Sequence, residues 1–314
     1  MTKRIFAAGY FGYGNFGDEL ILDIFNLRMS GWRVTRVKRM KTKPFAALMA
    51  IINSDAVVFP GGSIFQDETS SLSLFFYAAV IFAAALAGKP VFLLDSGLEV
   101  KKPLNKVILR MALKLAAFVS VRDSASFALA RTLGIKPLKS ADCAFSLENI
   151  VSRGLFPPKT IGVIPRGNGI RGTFQKAIEL CGKKYPEAEF KFAVLSGKDL
   201  PLAKELGRVR GLQPLIIKNR NHMEKFFGEC DFFILAPFHA LVIGASSGAK
   251  FAAIAYSVKV TNFLTDMGME SCIFPGDESM NFLENGKNQA RRMRIAEECA
   301  FQIFLNLLKD KLKL

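Results

Sequence analysis

Short continuous apolar runs alternate along the chain with longer stretches in which apolar residues recur at helical spacing. Ile5–Gly9 predicts a strand, Asp18–Met29 a helix, Arg33–Val37 a second strand and Ala56–Phe59 a short buried strand. The uncharged stretch Leu72–Ala87 predicts an apolar helix. Val91–Leu94 follows as a strand, then a helix over Leu104–Ala116 and a strand at Phe118–Val121. Strand and helix in regular succession predict parallel βαβ units with helices on both faces.

Leu155-Phe156-Pro157-Pro158-Lys159 interrupts the series, and a second one opens with Thr160–Ile164. Strands are predicted at Phe190–Leu195, Leu215–Ile217, Phe232–Leu235 and Phe251–Ala255. Helices are predicted at Phe174–Tyr185, Leu200–Gly207, Met223–Gly228 and Leu241–Gly248. The expected architecture is α/β, with two doubly wound Rossmann-like domains facing a cleft, as in the GT-B fold. The expected domains are residues 1–156 and 157–285, with 286–314 forming a C-terminal helix that packs back on the first. In open parallel sheets, ligands sit beyond the carboxyl ends of the strands, so the loops there carry the chemistry.

Half of the 314 residues are apolar, enough for two interiors. The formal charge of +16, from 43 basic and 27 acidic residues, favours acidic partners: phosphorylated metabolites or anionic lipid headgroups. Nucleic acid is not expected, because the basic residues are dispersed and no binding module is recognisable. Five scattered cysteines without a C-x-x-C pair suggest neither a disulfide framework nor a zinc site. With a strand directly after Met1-Thr2-Lys3-Arg4, they predict a reducing, cytoplasmic setting. Leu72–Ala87 is shorter than the about 20 apolar residues of a membrane span and stops at Gly88-Lys89-Pro90, so it reads as a buried helix.

Gly12-Tyr13-Gly14-Asn15-Phe16-Gly17 follows the first strand and opens a helix, matching G-x-G-x-x-G. Three readings stand: a dinucleotide site, a tight turn, or a substrate-binding loop in which Asn15 and Asp18 offer hydrogen bonds to sugar hydroxyls. The acid that should hold a ribose is missing; Arg36, Lys38 and Arg39 stand there instead, which suits an NADP 2′-phosphate. Asp18 and Glu19 argue against it, since they occupy the first helical turn where a pyrophosphate would sit. After the third strand, Gly61-Gly62 permits close backbone approach to a ligand, with Ser63, Gln66 and Asp67 beside it.

These segments together resemble the polysaccharide pyruvyl transferase family, including its CsaB type. The resemblance rests on Gly12-x-Gly14-Asn15-x-Gly17-Asp18-Glu19, Gly61-Gly62-Ser63-x-x-Gln66-Asp67, Arg122-Asp123-x-x-Ser126 and Ala141-Asp142-x-Ala144-Phe145. In the second half it rests on His239-Ala240-Leu241-Val242, Gly248, Tyr256-Ser257-Val258-Lys259-Val260 and Leu264. It implies transfer of the enolpyruvyl unit of phosphoenolpyruvate to a sugar of a surface glycan or its lipid-linked precursor. The product is a pyruvate ketal, made with no cofactor or metal. It also implies a donor side in the second domain and an acceptor side in the first.

A phosphoenolpyruvate site needs cationic groups and a proton donor. His239 follows an apolar strand and opens a helix, where the N-terminus favours a neutral imidazole able to exchange protons. Arg166, in a glycine-bearing loop at a strand's carboxyl end, can fork onto phosphate or carboxylate. Arg171, Tyr256 and Lys259 are further donor-side candidates; His222 reads as surface, and Arg122-Asp123 as a structural pair. Where the family writes Arg-Leu-His, this chain has Pro237-Phe238-His239. A charged hydrogen bond is worth about 1.5–3 kcal/mol, so another cation compensates, the donor differs, or catalysis is lost. A nucleotide-sugar glycosyltransferase and a non-catalytic glycan-binding relative are therefore the alternatives, and peripheral docking on an anionic inner membrane face is compatible with the charge.

Overall fold

Seven parallel strands form the first sheet: β1 (Arg4–Ala7), β2 (Arg33–Arg36), β3 (Ala56–Phe59), β4 (Gly62–Gln66), β5 (Val91–Glu99), β6 (Phe118–Val121) and β7 (Leu138–Lys139). Their order is β2-β1-β3-β5-β6-β7, with β4 added beside the far half of β5. The computed structural model describes residues 2–68, 70–147, 150–167, 169–208, 211–277, 279 and 287–314. The expected domain end at 285 lies outside the described residues.

The central strands β1, β3, β5 and β6 are buried on both sides because successive residues feed opposite layers. Ile5, Ala7, Ala56, Val58, Phe92 and Leu94 meet helix α1 (Phe16–Arg28) and the C-terminal helix, through Phe25, Phe301, Phe304 and Leu308. Phe6, Val57, Phe59, Val91 and Leu93 face the opposite layer. That layer holds α2 (Pro44–Ile52), α3 (Ser71–Leu86), α4 (Pro103–Lys114) and α5 (Ser124–Thr132). Among the described residues no helix is long and apolar enough to cross a membrane.

The second sheet orders β10 (Leu215–Ile216), β9 (Glu189–Val194), β8 (Thr160–Ile164), β11 (Phe232–Leu235) and β12 (Lys250–Ala253), all parallel. Ile161, Val163, Phe190, Phe232 and Ile234 pack on α6 (Arg171–Lys184) and α7 (Leu200–Arg208) through Phe174, Ala177 and Leu206. On the other face, α8 (Arg220–Gly228) stacks Phe227 on Phe233 at 4.5 Å. There α9 (Phe238–Ser246) lies so close that a Cβ at Gly244 would stand 3.0 Å from Leu235 Cδ1. Helix α10 (Val258–Asp266) and α11 (Lys287–Lys311) complete the elements.

Contacts divide the chain into two units. Residues 1–13, 18–146 and 293–314 form one; 14–17 and 147–292 form the other. In the first, the chain leaves β1 toward β2 on one side and returns to β3 on the other. In the second, it leaves β8 toward β9 and returns to β11. Each unit thus has a topological switch point, the position at which an open parallel sheet leaves a crevice beyond its carboxyl ends.

Candidate active site

At the switch point of the second unit, the loop after β8 carries Arg166 and the first turn of the helix after β11 carries His239. Arg166 is exposed, with its guanidinium 4.8 Å from the centre of the Tyr256 ring, a cation–π contact. The Gly167 N–H, one residue on, donates to the buried carboxylate of Asp199 at 2.7 Å, which fixes the loop that presents the arginine. Lys259, in the first turn of α10, holds its ammonium 4.4 Å from the centre of the Phe238 ring. Phe238 lies edge-on to His239 at 5.7 Å and edge-on to Phe263 at 5.3 Å. One aromatic platform, Tyr256, therefore carries Arg166, and a second, Phe238, carries Lys259 beside His239. Pro237 is the cap residue of α9, and Phe238 and His239 fill its first turn.

The glycine segment has an unexpected role in this unit. Phe16 N–H donates to Leu195 O at 3.0 Å, and Asn15 bridges Ser196 in antiparallel fashion. A Cβ on Gly17 would stand 1.9 Å from His239 Nδ1 and 2.4 Å from its Cγ. No side chain fits there: the last glycine of the motif lets the backbone lie against the imidazole. Gly14 takes φ +75°, a left-handed conformation that glycine adopts without strain. Arg171 is the first residue of α6 and forms an ion pair with Glu205 on α7, both exposed. His222 lies on α8, its Nδ1 3.3 Å from Ile216 O.

In the first unit the loop after β1 is closed by its own side chains. Gly12 N–H donates to Glu19 Oε1, and Arg39 Nε donates to Gly12 O at 2.9 Å. The Gly12 N–H and Arg39, one of the three basic residues of the dinucleotide reading, are thus engaged within the loop. Asp18 is buried, with Oδ1 3.5 Å from where a Gly62 Cβ would lie, and Gly61 and Gly62 take φ +136° and +88°. Lys41 stands nearby, donating to Ser73 Oγ at 2.6 Å and facing the Tyr10 and Tyr77 rings at 5.1 and 5.3 Å. Burial lowers the pKa of Lys41, and the negative charge of Asp18 opposes that shift. Burial and then Asp18 raise the Tyr77 phenol. Among the described residues, the buried hydroxyls of Tyr13 and Tyr77 have no hydrogen-bond partner.

The second glycine element differs from the loop expected at Gly61–Asp67. Gly62–Gln66 is strand β4, which pairs with β5 from Ser96 onward; just before it, at the register shift between β5 and β6, Asp95 takes φ +44°. Asp67 is buried and accepts from the N–H groups of Lys101 and Lys102 and from Asn105 Nδ2, at 2.9–3.1 Å. It caps the start of α4 from a distance. Burial alone would raise its pKa, but these bonds hold its carboxyl below the usual range.

Ser63 accepts from Arg122 Nη2, and Arg122 Nη1 pairs with Asp142 Oδ2 at 2.7 Å. A Cβ on Gly97 would lie 2.5 Å from Ser63 Oγ and 3.1 Å from Arg122 Nη2. Asp123 Oδ1 caps α5 by accepting from Ser126 N–H, and Ser126 Oγ accepts from Leu98 N–H, at 2.7 and 2.8 Å. One buried arginine thus ties three separated sequence motifs together.

Lys41, Tyr77, Gly17, Asp199 and Phe238 were not singled out from the sequence. Gly17 alone carried a signal, as the third glycine of the motif; the others are ordinary residue types whose partners are distant in the chain.

The model of the family described as polysaccharide pyruvyl transferase matches residues 14–258. No curated protein matches by sequence. Among solved structures, HepE of Anabaena, in complex with UDP, is similar at TM-score 0.54 and 12% identity, covering 99% of this chain and 100% of that one. The UDP-GlcNAc 2-epimerase of Neisseria meningitidis, bound to UDP-GlcNAc, is similar at TM-score 0.55 and 12% identity, covering 98% and 100%. A putative UDP-N-acetylglucosamine 2-epimerase from Listeria monocytogenes reaches TM-score 0.53 at 9% identity, covering 100% and 91%. At such identities the likeness is one of GT-B-type fold. The family match spans most of the chain and both switch-point loops of the second unit, and the chain belongs to the polysaccharide pyruvyl transferase family of enzymes.

Proposed function

We propose that the chain transfers the pyruvyl unit of phosphoenolpyruvate to two hydroxyls of a sugar in a cell-surface polysaccharide or its lipid-linked precursor. The product is a pyruvate ketal, and inorganic phosphate is released. The observation that carries this reading is that the second unit holds Arg166 on Tyr256 and Lys259 on Phe238 beside His239, on the elements that follow the carboxyl ends of its strands. The second unit is the donor side in this account, and the first the acceptor side.

The chemistry needs little more than these groups. A proton adds to the methylene carbon of phosphoenolpyruvate, leaving positive charge at C2. One sugar hydroxyl attacks C2 and gives up its proton; the C2–O bond to phosphate then breaks, and the second hydroxyl closes the ketal. Two protons leave the hydroxyls, one stays in the new methyl group and one departs with phosphate, so no oxidant or metal enters the balance. His239 exchanges the protons. Arg166 grips the donor's phosphate or carboxylate with its planar fork, and Lys259 supplies a point charge. Phe238 holds Lys259 beside His239, supplying locally the charge lost with the family's arginine at Pro237. In the first unit, Asp18 offers an acceptor and Lys41 a donor to the sugar.

Calorimetric titration of phosphoenolpyruvate into wild type and Arg166→Ala tests the donor side. Binding that weakens by about tenfold or more in the variant is expected from loss of one charged pair. Absence of binding, even with candidate acceptors present, removes the donor from the account. The fold neighbours from Anabaena and Neisseria meningitidis are bound to UDP and UDP-GlcNAc, so thermal protection by UDP is the control; protection by UDP and not by phosphoenolpyruvate points to nucleotide-sugar transfer.

A further inference from the structure

Helices α2, α3 and α4 lie side by side on one face of the first unit's sheet, α3 touching both neighbours. Their inner faces are core: Ala47 and Ile51, Tyr77 and Ile81, Leu109 and Leu113. Helices covering a sheet ordinarily turn a polar face outward. These do not. Phe45 is 74% exposed, Leu72 76%, Leu86 91% and Leu104 67%, with Val107 and Met111 of α4 also exposed. Helices α2 and α3 contain no charged residue, and the charges of α4 are Lys106, Arg110 and Lys114. No Asp or Glu occurs in any of the three, while Lys43 precedes α2 and Lys101 and Lys102 precede α4. An apolar outer face fringed mainly with basic side chains, with Glu68 beside Lys101 as an acidic neighbour, lacks a cover.

We infer that this three-helix face docks on the surface of a lipid bilayer bearing anionic headgroups. Phe45, Leu72, Leu104 and Met111 enter the boundary between headgroups and acyl chains. The lysines and Arg110 meet the acidic headgroups, their stems lying along the apolar surface. Charge selects this occupant over a second copy of the chain. A symmetric dimer through the face would set identical basic patches against each other, in a protein already at +16. The docking does not depend on the reaction proposed above, although it would bring a lipid-linked acceptor to the enzyme.

The test is flotation of the full chain with phosphatidylglycerol-containing vesicles and with pure phosphatidylcholine vesicles. Two variants accompany it: Phe45→Ser/Leu104→Ser/Met111→Ser and Lys106→Glu/Arg110→Glu. Phe45, Leu104, Arg110 and Met111 are exposed and Lys106 is half-buried, so folding should survive, as circular dichroism would verify; Ile303→Ser, exposed on α11, is the control. Wild type and control should bind the anionic vesicles, and each test variant should lose about tenfold or more of that affinity. Failure of wild type to bind anionic vesicles overturns the inference, as does equal binding by the triple variant. A lipid-free dimer that the triple variant dissolves also overturns it, by making the face a contact between copies.

Discussion

Substituting Gly17 by Ala sets a helix preference against a single close contact. Gly17 is the second residue of α1, and alanine within a helix is favoured over glycine by about 0.8–1.0 kcal/mol. Judged by propensity alone, Gly17→Ala stabilises the protein. Its Cβ would instead lie 1.9 Å from His239 Nδ1, far inside van der Waals contact. Relief comes from turning the imidazole off its rotamer, at about 0.5–1.5 kcal/mol, or from displacing the backbone, at about 1–3 kcal/mol. In a His239→Ala background the obstacle is gone and only the helix gain remains. A thermal-unfolding cycle over wild type, both single variants and the double variant should therefore give a coupling of about 0.5–3 kcal/mol, roughly 1–12 °C in Tm. Gly17→Ala alone should also slow transfer by about 100-fold, since a misplacement of about 1 Å costs that much. An identical Tm change in both backgrounds, or an unimpaired Gly17→Ala enzyme, refutes the contact.

Arg122→Ala should cost about 3–5 kcal/mol of stability in urea titration, because it strands the buried Asp142 carboxylate and frees Ser63. Asp67→Ala should cost about 1–2 kcal/mol by removing the remote cap of α4. Because the folded-state pKa of Asp67 is depressed, the stability it contributes is present above its unfolded pKa and lost as pH falls through the folded one. Asp95 behaves oppositely: burial raises its pKa, the Ser120 hydroxyl that donates to it holds it down in part, and Asp142 adds to the rise. The folded protein therefore binds the extra proton, and stability falls as pH rises from about 4 toward neutrality, by up to about 1.4 kcal/mol per pH unit. Asp95→Asn should flatten that slope in denaturant titrations across pH. Asparagine also tolerates the φ of +44°.

The strands were the most legible part of the chain. Ala56–Phe59, Phe118–Val121, Thr160–Ile164 and Phe232–Leu235 form with the expected bounds, because a strand covered on both faces is a nearly continuous apolar run, here broken only by Ser120 and Thr160. Helix α2 escaped notice because its short, evenly apolar sequence lacks the polar face that marks a helix. Helix α5 was hidden behind its cap, since Asp123-x-x-Ser126 read as a motif rather than as a helix start. Strand β4 was obscured by two glycines, which a strand avoids unless a bulge needs them. For the site, Arg166 and His239 were legible as residues at strand ends. Their supports were not: Asp199 beneath Gly167 and Phe238 beneath Lys259 depend on contacts that no local pattern encodes.

The most direct test of the account is to incubate the protein with phosphoenolpyruvate and a surface glycan or its lipid-linked precursor. Phosphate release is measured while the product is followed by mass spectrometry and by the NMR signal of a ketal methyl group. The account predicts stoichiometric phosphate release and ketal formation with the wild type. With His239→Ala it predicts neither, although that variant still binds phosphoenolpyruvate in calorimetry. Unimpaired ketal formation by His239→Ala would contradict the role given to the histidine. Glycan modification that requires a uridine nucleotide sugar and releases no phosphate from phosphoenolpyruvate would contradict the reaction itself.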